Sequence, residues 1–122
     1  MASSGLFEGV NINGGATVQV NGTGTLTIAG RGGDFVTGFQ YGVLVTGGSK
    51  IIGGTSGLTS VSGTGGASVG GISYGVYVIN SGSAITSAGS NVQVTGQGGG
   101  SGSSGNNYGV VLVSGGAISA GG

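Results

Sequence analysis

The chain has no cysteine, no histidine, no proline and no tryptophan, and only Glu8, Arg31, Asp34 and Lys50 among its 122 residues carry a side-chain charge. Each absence excludes something. Without cysteine or histidine there are no thiolate or imidazole ligands for zinc or iron–sulfur centres, and no disulfides from which a redox compartment could be read. Without proline there is no collagen or polyproline helix, a reading that 35 glycines would otherwise invite. Two basic residues are too few to neutralise a phosphate backbone, so nucleic acid is not an expected partner. No apolar run approaches the ~20 residues of a transmembrane helix, and Met1 to Glu8 lacks the basic and apolar regions of a signal peptide.

The shortage of carboxylates limits chemistry in the same way. Glycoside hydrolysis needs two carboxyl groups flanking one bond, but Glu8 and Asp34 are 26 residues apart, out of phase with the repeat described below. Gly32-Gly33-Asp34 resembles part of a calcium-binding repeat, yet the aspartate does not recur, and calcium takes six to eight oxygen ligands. Lys50 follows Gly-Gly-Ser rather than the spacing of a phosphate-binding loop. No catalytic residue, cofactor-binding residue or metal ligand is therefore expected, and the chain does not read as an enzyme. Asn21-Gly22-Thr23 matches a glycosylation acceptor but reads as a turn. Thr25-Leu26-Thr27 has the spacing of ice-binding threonine rows, but Thr59-Ser60 and Gln93 at the later positions do not continue one.

What the chain does have is a period. Tyr41-Gly42-Val43-Leu44-Val45 returns as Tyr74 to Val78 and as Tyr108 to Leu112, at spacings of 33 and 34 residues. Such a period marks a stack of supersecondary units. The other apolar positions follow it: Ile51, Ile85 and Ile118, then the run Leu58 to Gly63 answered by Val92 to Gly96. Counting back one period aligns Val10 and Ile12 with Val43 and Val45, Val18 with Ile51, and Leu26 to Gly30 with the run near Leu58. These in-phase β-branched runs argue against disorder. The glycine-rich segments Arg31 to Gln40, Thr64 to Ser73 and Gln97 to Asn107 read as corner loops.

Three short strands and a loop per period describe an all-β fold, a parallel β-solenoid of about three and a half coils and ~17 Å in height. A β-sandwich of hairpins competes poorly, because the Asn-Gly hairpin signal occurs once, at Asn21-Gly22. The expected organisation is an N-terminal segment or cap over residues 1–8, then coils over 9–40, 41–73, 74–107 and a partial 108–122. Strict strand alternation puts Tyr41, Val43 and Val45 on one face and Gly42 and Leu44 on the other. Val43, Val45, Val76, Val78, Val110 and Leu112, with Ile51, Ile85 and Ile118, are the expected core ladder. The opposite face shows Leu44, Tyr77, Val111, Ile79 and Val113, apolar enough to expect a covering partner, most simply another copy. Tyr41, Tyr74 and Tyr108 form a tyrosine ladder, read as stacking between coils in preference to a glycan-binding surface.

Gly22-Thr-Gly-Thr-Leu-Thr-Ile-Ala-Gly30 resembles the strand repeat of bacterial autotransporter passenger domains. The wider pattern, Tyr-Gly-Val-x-Val with Gly-Gly-x-Ile and Gly-x-Gly-Gly, is similar to the repeats of large filamentous-haemagglutinin-like adhesins. The resemblance implies a right-handed β-solenoid at the cell surface or outside the cell, serving as fibre, stalk or adhesin. The expected function is a structural subunit or segment of a self-assembling extracellular fibre. The alternative is an adhesin module that recognises glycan or a surface.

Overall fold

The computed structural model describes residues 6–34, 38–67, 69, 71–100 and 105–121. Among them every element is a strand. The first strands of successive coils are β1 (Leu6–Ile12), β4 (Phe39–Val45), β7 (Ile72–Ile79) and β10 (Val110–Val113). The second strands are β2 (Thr17–Gln19), β5 (Lys50–Gly53), β8 (Ala84–Ser87) and β11 (Ala117–Ile118). The third strands are β3 (Leu26–Arg31), β6 (Thr59–Thr64) and β9 (Val92–Gln97). Each strand pairs in parallel with its counterpart one coil away, giving sheets β1-β4-β7-β10, β2-β5-β8-β11 and β3-β6-β9. The architecture is a β-solenoid of three complete coils and the first two strands of a fourth.

Identical positions stack: Val10, Val43, Val76 and Val110 form one column, and Val18, Ile51, Ile85 and Ile118 another. The change in spacing is confined to turns. Lys50 pairs with Ala84, 34 residues on, but Thr59 pairs with Val92, 33 residues on. A slip inside a strand would have turned its apolar side chains out of the core, so the turns absorb it.

The first turn of each coil shows why glycine and short polar residues recur there. Gly47 and Gly48 hold φ of 67° and 80°, a left-handed pair that other residues adopt only at a cost. Polar side chains then tie one turn to the next: Ser49 Oγ accepts from the Gly15 and Ala16 amides at 3.1 Å each, and Ser83 Oγ from the Gly48 amide at 3.0 Å. Asn80 Oδ1 accepts from the Thr46 hydroxyl at 2.7 Å and the Gly47 amide at 3.2 Å.

Inside the tube Val43, Val45, Ile51, Val61, Val76, Val78 and Ile85 are fully buried, and Val10, Leu26, Ile28, Val92, Val94 and Ile118 pack against them. Each fully buried side chain contributes about 1.5–3 kcal/mol. Leu58, read from sequence as opening the third strand, lies just before β6 and is exposed; the inward position belongs to Thr59. Its hydroxyl shares a hydrogen bond of 3.0 Å with Ser90 Oγ, which satisfies both buried groups.

Three sequence expectations are corrected. Residues 6–8 do not precede the first coil, because Leu6, Phe7 and Glu8 pair with Phe39, Gln40 and Tyr41 inside β1; residues 1–5 lie outside the described residues. The loops are also shorter than expected, since Arg31, Thr64 and Gln97 end third strands while Phe39, Gln40, Ile72 and Ser73 belong to first strands.

The third correction concerns the pentapeptide. Tyr41 does not share a face with Val43: its ring lies 5.1 Å from that of Tyr77, which pairs with Leu44 on the outer face, whereas Val43 is fully buried. The residue between them breaks the alternation. A Cβ on Gly42 would stand 2.8 Å from the Gly30 carbonyl oxygen, inside the tube. Gly42 and Val43 thus both face inward, and one strand carries valine inside with tyrosine outside. The same backbone-to-backbone seam recurs as Gly63 against Gly75 and Gly96 against Gly109.

Candidate functional site

The three side faces of the tube differ. The outer faces of the second and third sheets carry Lys50, Ile52, Thr86, Thr27, Ser60, Gln93, Thr95 and Gln97, polar apart from Ile52 and without an aromatic cluster. The first sheet carries the aromatic residues. Tyr41 and Tyr74 stack with centroids 5.5 Å apart and Tyr74 and Tyr108 at 5.6 Å, while Tyr77 meets Tyr41 and Tyr74 edge-on at 5.1 and 5.0 Å. Phe39 adds a tilted contact with Tyr41 at 6.2 Å. The stacked and edge-to-face geometries are those that the ring quadrupole favours.

This clustering answers the question of what covers the outer face. Leu44, in register with Tyr77, is only 6% exposed, and Tyr41, in contact with the rings of Phe39, Tyr74 and Tyr77, is 8% exposed. Val111 and Val113 pair with Tyr77 and Ile79 along that face, and coverage in the middle coils comes from within the chain. The Tyr77 contacts could not be read by simple alternation. The signal available was the glycine repeated after each ladder tyrosine, matched by Gly30, Gly63 and Gly96 in the third strands.

Burial pushes the Tyr41 hydroxyl up to about 12, with Tyr77, Tyr74 and Glu8 adding to it, and burial raises Tyr74 as well. The fold therefore favours the neutral phenols. A pKa raised on folding contributes stability that is complete below the unfolded value of about 10 and is lost as pH rises through the folded one. The solenoid is expected to lose stability between about pH 10 and 12, and a Tyr41→Phe variant to lose less. Unfolding measured across that range, with phenolate absorbance reporting titration, checks this. Equal alkaline loss in both chains would refute it.

Glu8 occupies the tyrosine column in the first coil, paired with Tyr41. Its Oε1 is enclosed and has no hydrogen-bond partner among the described residues. Asp34 is placed differently: Arg31 grips it through both guanidinium nitrogens at 2.8 and 3.0 Å, and its Oδ1 also accepts from the Ala67 amide at 2.9 Å. The Arg31 hydrogen bond and that amide hold the Asp34 carboxyl below its usual range, so the aspartate pins one corner loop to the next. Among the described residues no group of three or more histidine, cysteine, aspartate or glutamate side chains could hold a metal ion. No helix there is long and apolar enough to cross a membrane.

The remaining distinctive surfaces are the ends. Val110 and Leu112 continue the fully buried columns of Val76 and Val78, yet they are 39% and 45% exposed. At the other end Val18, column mate of Ile51, is exposed too. β9, β10 and β11 present unpaired edges at one end, and β1, β2 and β3 at the other, among the described residues. No protein-family model matches the chain, and neither a curated protein nor a solved structure matches it.

Proposed function

We propose that the chain is a structural segment of a self-assembling extracellular fibre, its coils stacking end to end on those of further copies. The exposure of core columns at the ends of the stack carries this reading. Val110 and Leu112 belong to columns that are fully buried at Val43, Val45, Val76 and Val78, and a strand edge beside them is a template for another strand. Native edges are commonly guarded by charge or proline, but the chain has no proline and its four charged side chains leave β10 and β11 unguarded. Zero formal net charge adds no repulsion between copies.

The competing reading, a binding module that takes glycan or another surface on the tyrosines, gains no support from ring faces already occupied by one another at Tyr41 and Tyr74. Catalysis gains none either, with one of two carboxylate side chains committed to an ion pair.

Electron microscopy and fibre diffraction of the purified chain at neutral pH test the proposal. Filaments are expected with the ~4.8 Å strand spacing along the axis and an axial repeat of about 19 Å, the height of four strands. A strictly monomeric, monodisperse particle at high concentration would overturn it.

A further inference from the structure

We infer that one defined interface joins the copies, the first coil of one seating on the last coil of another with Glu8 over Tyr108, and that this pair makes assembly depend on protonation of a single carboxyl. The inference rests on the fibre reading above.

The register within the chain dictates the join. Extending each column by one strand places the neighbour's Val10 over Val110, its Ile12 over Leu112 and its Val18 over Ile118. Apolar side chains meet at these three inward positions of the first two sheets. The third sheet has one strand fewer, so the join is continuous in two sheets and stepped in the third.

The outer column breaks the pattern. It runs Glu8, Tyr41, Tyr74, Tyr108, and the Tyr108 ring is 52% exposed with Tyr74 stacked on one side. In the joined stack the position beyond Tyr108 is taken by a carboxyl where every internal junction has a phenol ring. Glu8 would then lie between Tyr41 of its own copy and Tyr108 of the neighbour. Among the described residues no cation is placed to pair with it: Arg31, on the adjacent β3, is committed to Asp34, and Lys50 lies on the second sheet. An enclosed carboxylate without a countercharge is costly, while the protonated acid is not and can hydrogen-bond the phenol. A junction that encloses this carboxyl without a countercharge therefore favours its neutral form, and association is expected to be stronger in acid.

The test measures the critical concentration for filament formation by light scattering and microscopy at pH 7 and pH 4. For the unmodified chain it is expected to fall by about tenfold or more on acidification. Glu8→Gln is expected to assemble at pH 7 as the unmodified chain does at pH 4, with little further change. Glu8→Tyr, which extends the ring column, is expected to do the same, and Asp34→Asn to keep the pH dependence. Filaments whose pH dependence is the same in Glu8→Gln as in the unmodified chain would overturn the Glu8 interface and leave the fibre reading standing. The absence of filaments in every variant at both pH values would overturn both.

Discussion

Gly75→Ala is expected to cost about 3 kcal/mol or more of stability, whereas Gly105→Ala is expected to change it by less than about 0.5 kcal/mol. The sign at Gly75 is the informative part. In a strand with room for a methyl group, replacing glycine by alanine restrains the unfolded chain and stabilises the fold by about 0.4–1 kcal/mol. At Gly75 the new Cβ would stand 2.5 Å from the Gln97 nitrogen and 2.6 Å from the carbonyl oxygens of Gly109 and Gly63. All three are backbone atoms, so no side chain can rotate away; the first and third strands would have to separate at the corner where they touch. Because the seam is shared by consecutive coils, the displacement would pass to both neighbours. At Gly105 a methyl group meets nothing within 4 Å. Urea or thermal unfolding of the two variants decides the matter, and equal stabilities would remove the glycine seam from the account of the fold.

That seam also marks where the sequence stopped being legible. The period, three strands per coil, parallel stacking and the columns through Val43, Ile51 and Val61 follow from apolar residues returning in phase, because a parallel ladder places equivalent residues over one another. What failed was the assumption of strict alternation within one strand. Tyr41 and Val43 are two residues apart, which predicts a common face, but Gly42 lacks the Cβ that would hold the pleat and the chain turns both Gly42 and Val43 inward. The same limit explains the outer face. Read as a list, Leu44, Tyr77 and Val111 look like an uncovered apolar strip; in the structure Tyr41 and Tyr74 join that face and bury its centre. The run from Leu58 to Gly63 does not say which of its first two residues points inward; the structure puts Thr59 there, where the hydroxyl of Ser90, brought close by the turn, satisfies it. Val110 and Leu112, which the period places in the core ladder, are exposed because their columns end at the last coil.

Leu112→Lys is expected to abolish filament formation at concentrations where the unmodified chain assembles, while leaving the solenoid folded. Leu112 ends the column Ile12, Val45, Val78, and at 45% exposure a lysine there can carry its ammonium into water along its aliphatic stem. Folding therefore loses part of one leucine's burial, at most about 1–2 kcal/mol. Association would require the same ammonium to enter a junction opposite Ile12 of the next copy, with no acceptor among the apolar side chains of that column. Burying an unpaired charge costs several kcal/mol, and at 1.4 kcal/mol per tenfold the critical concentration should rise by about a hundredfold or more. Val78→Lys supplies the contrast: one coil inward, with no exposure, the same substitution should unfold the chain rather than merely separate copies. Circular dichroism and sedimentation distinguish the outcomes, a folded monomer for Leu112→Lys and loss of β-structure for Val78→Lys. Filaments of Leu112→Lys at the original concentration would mean that the end of the tube is not where copies meet, and the aromatic side face would become the surface to test.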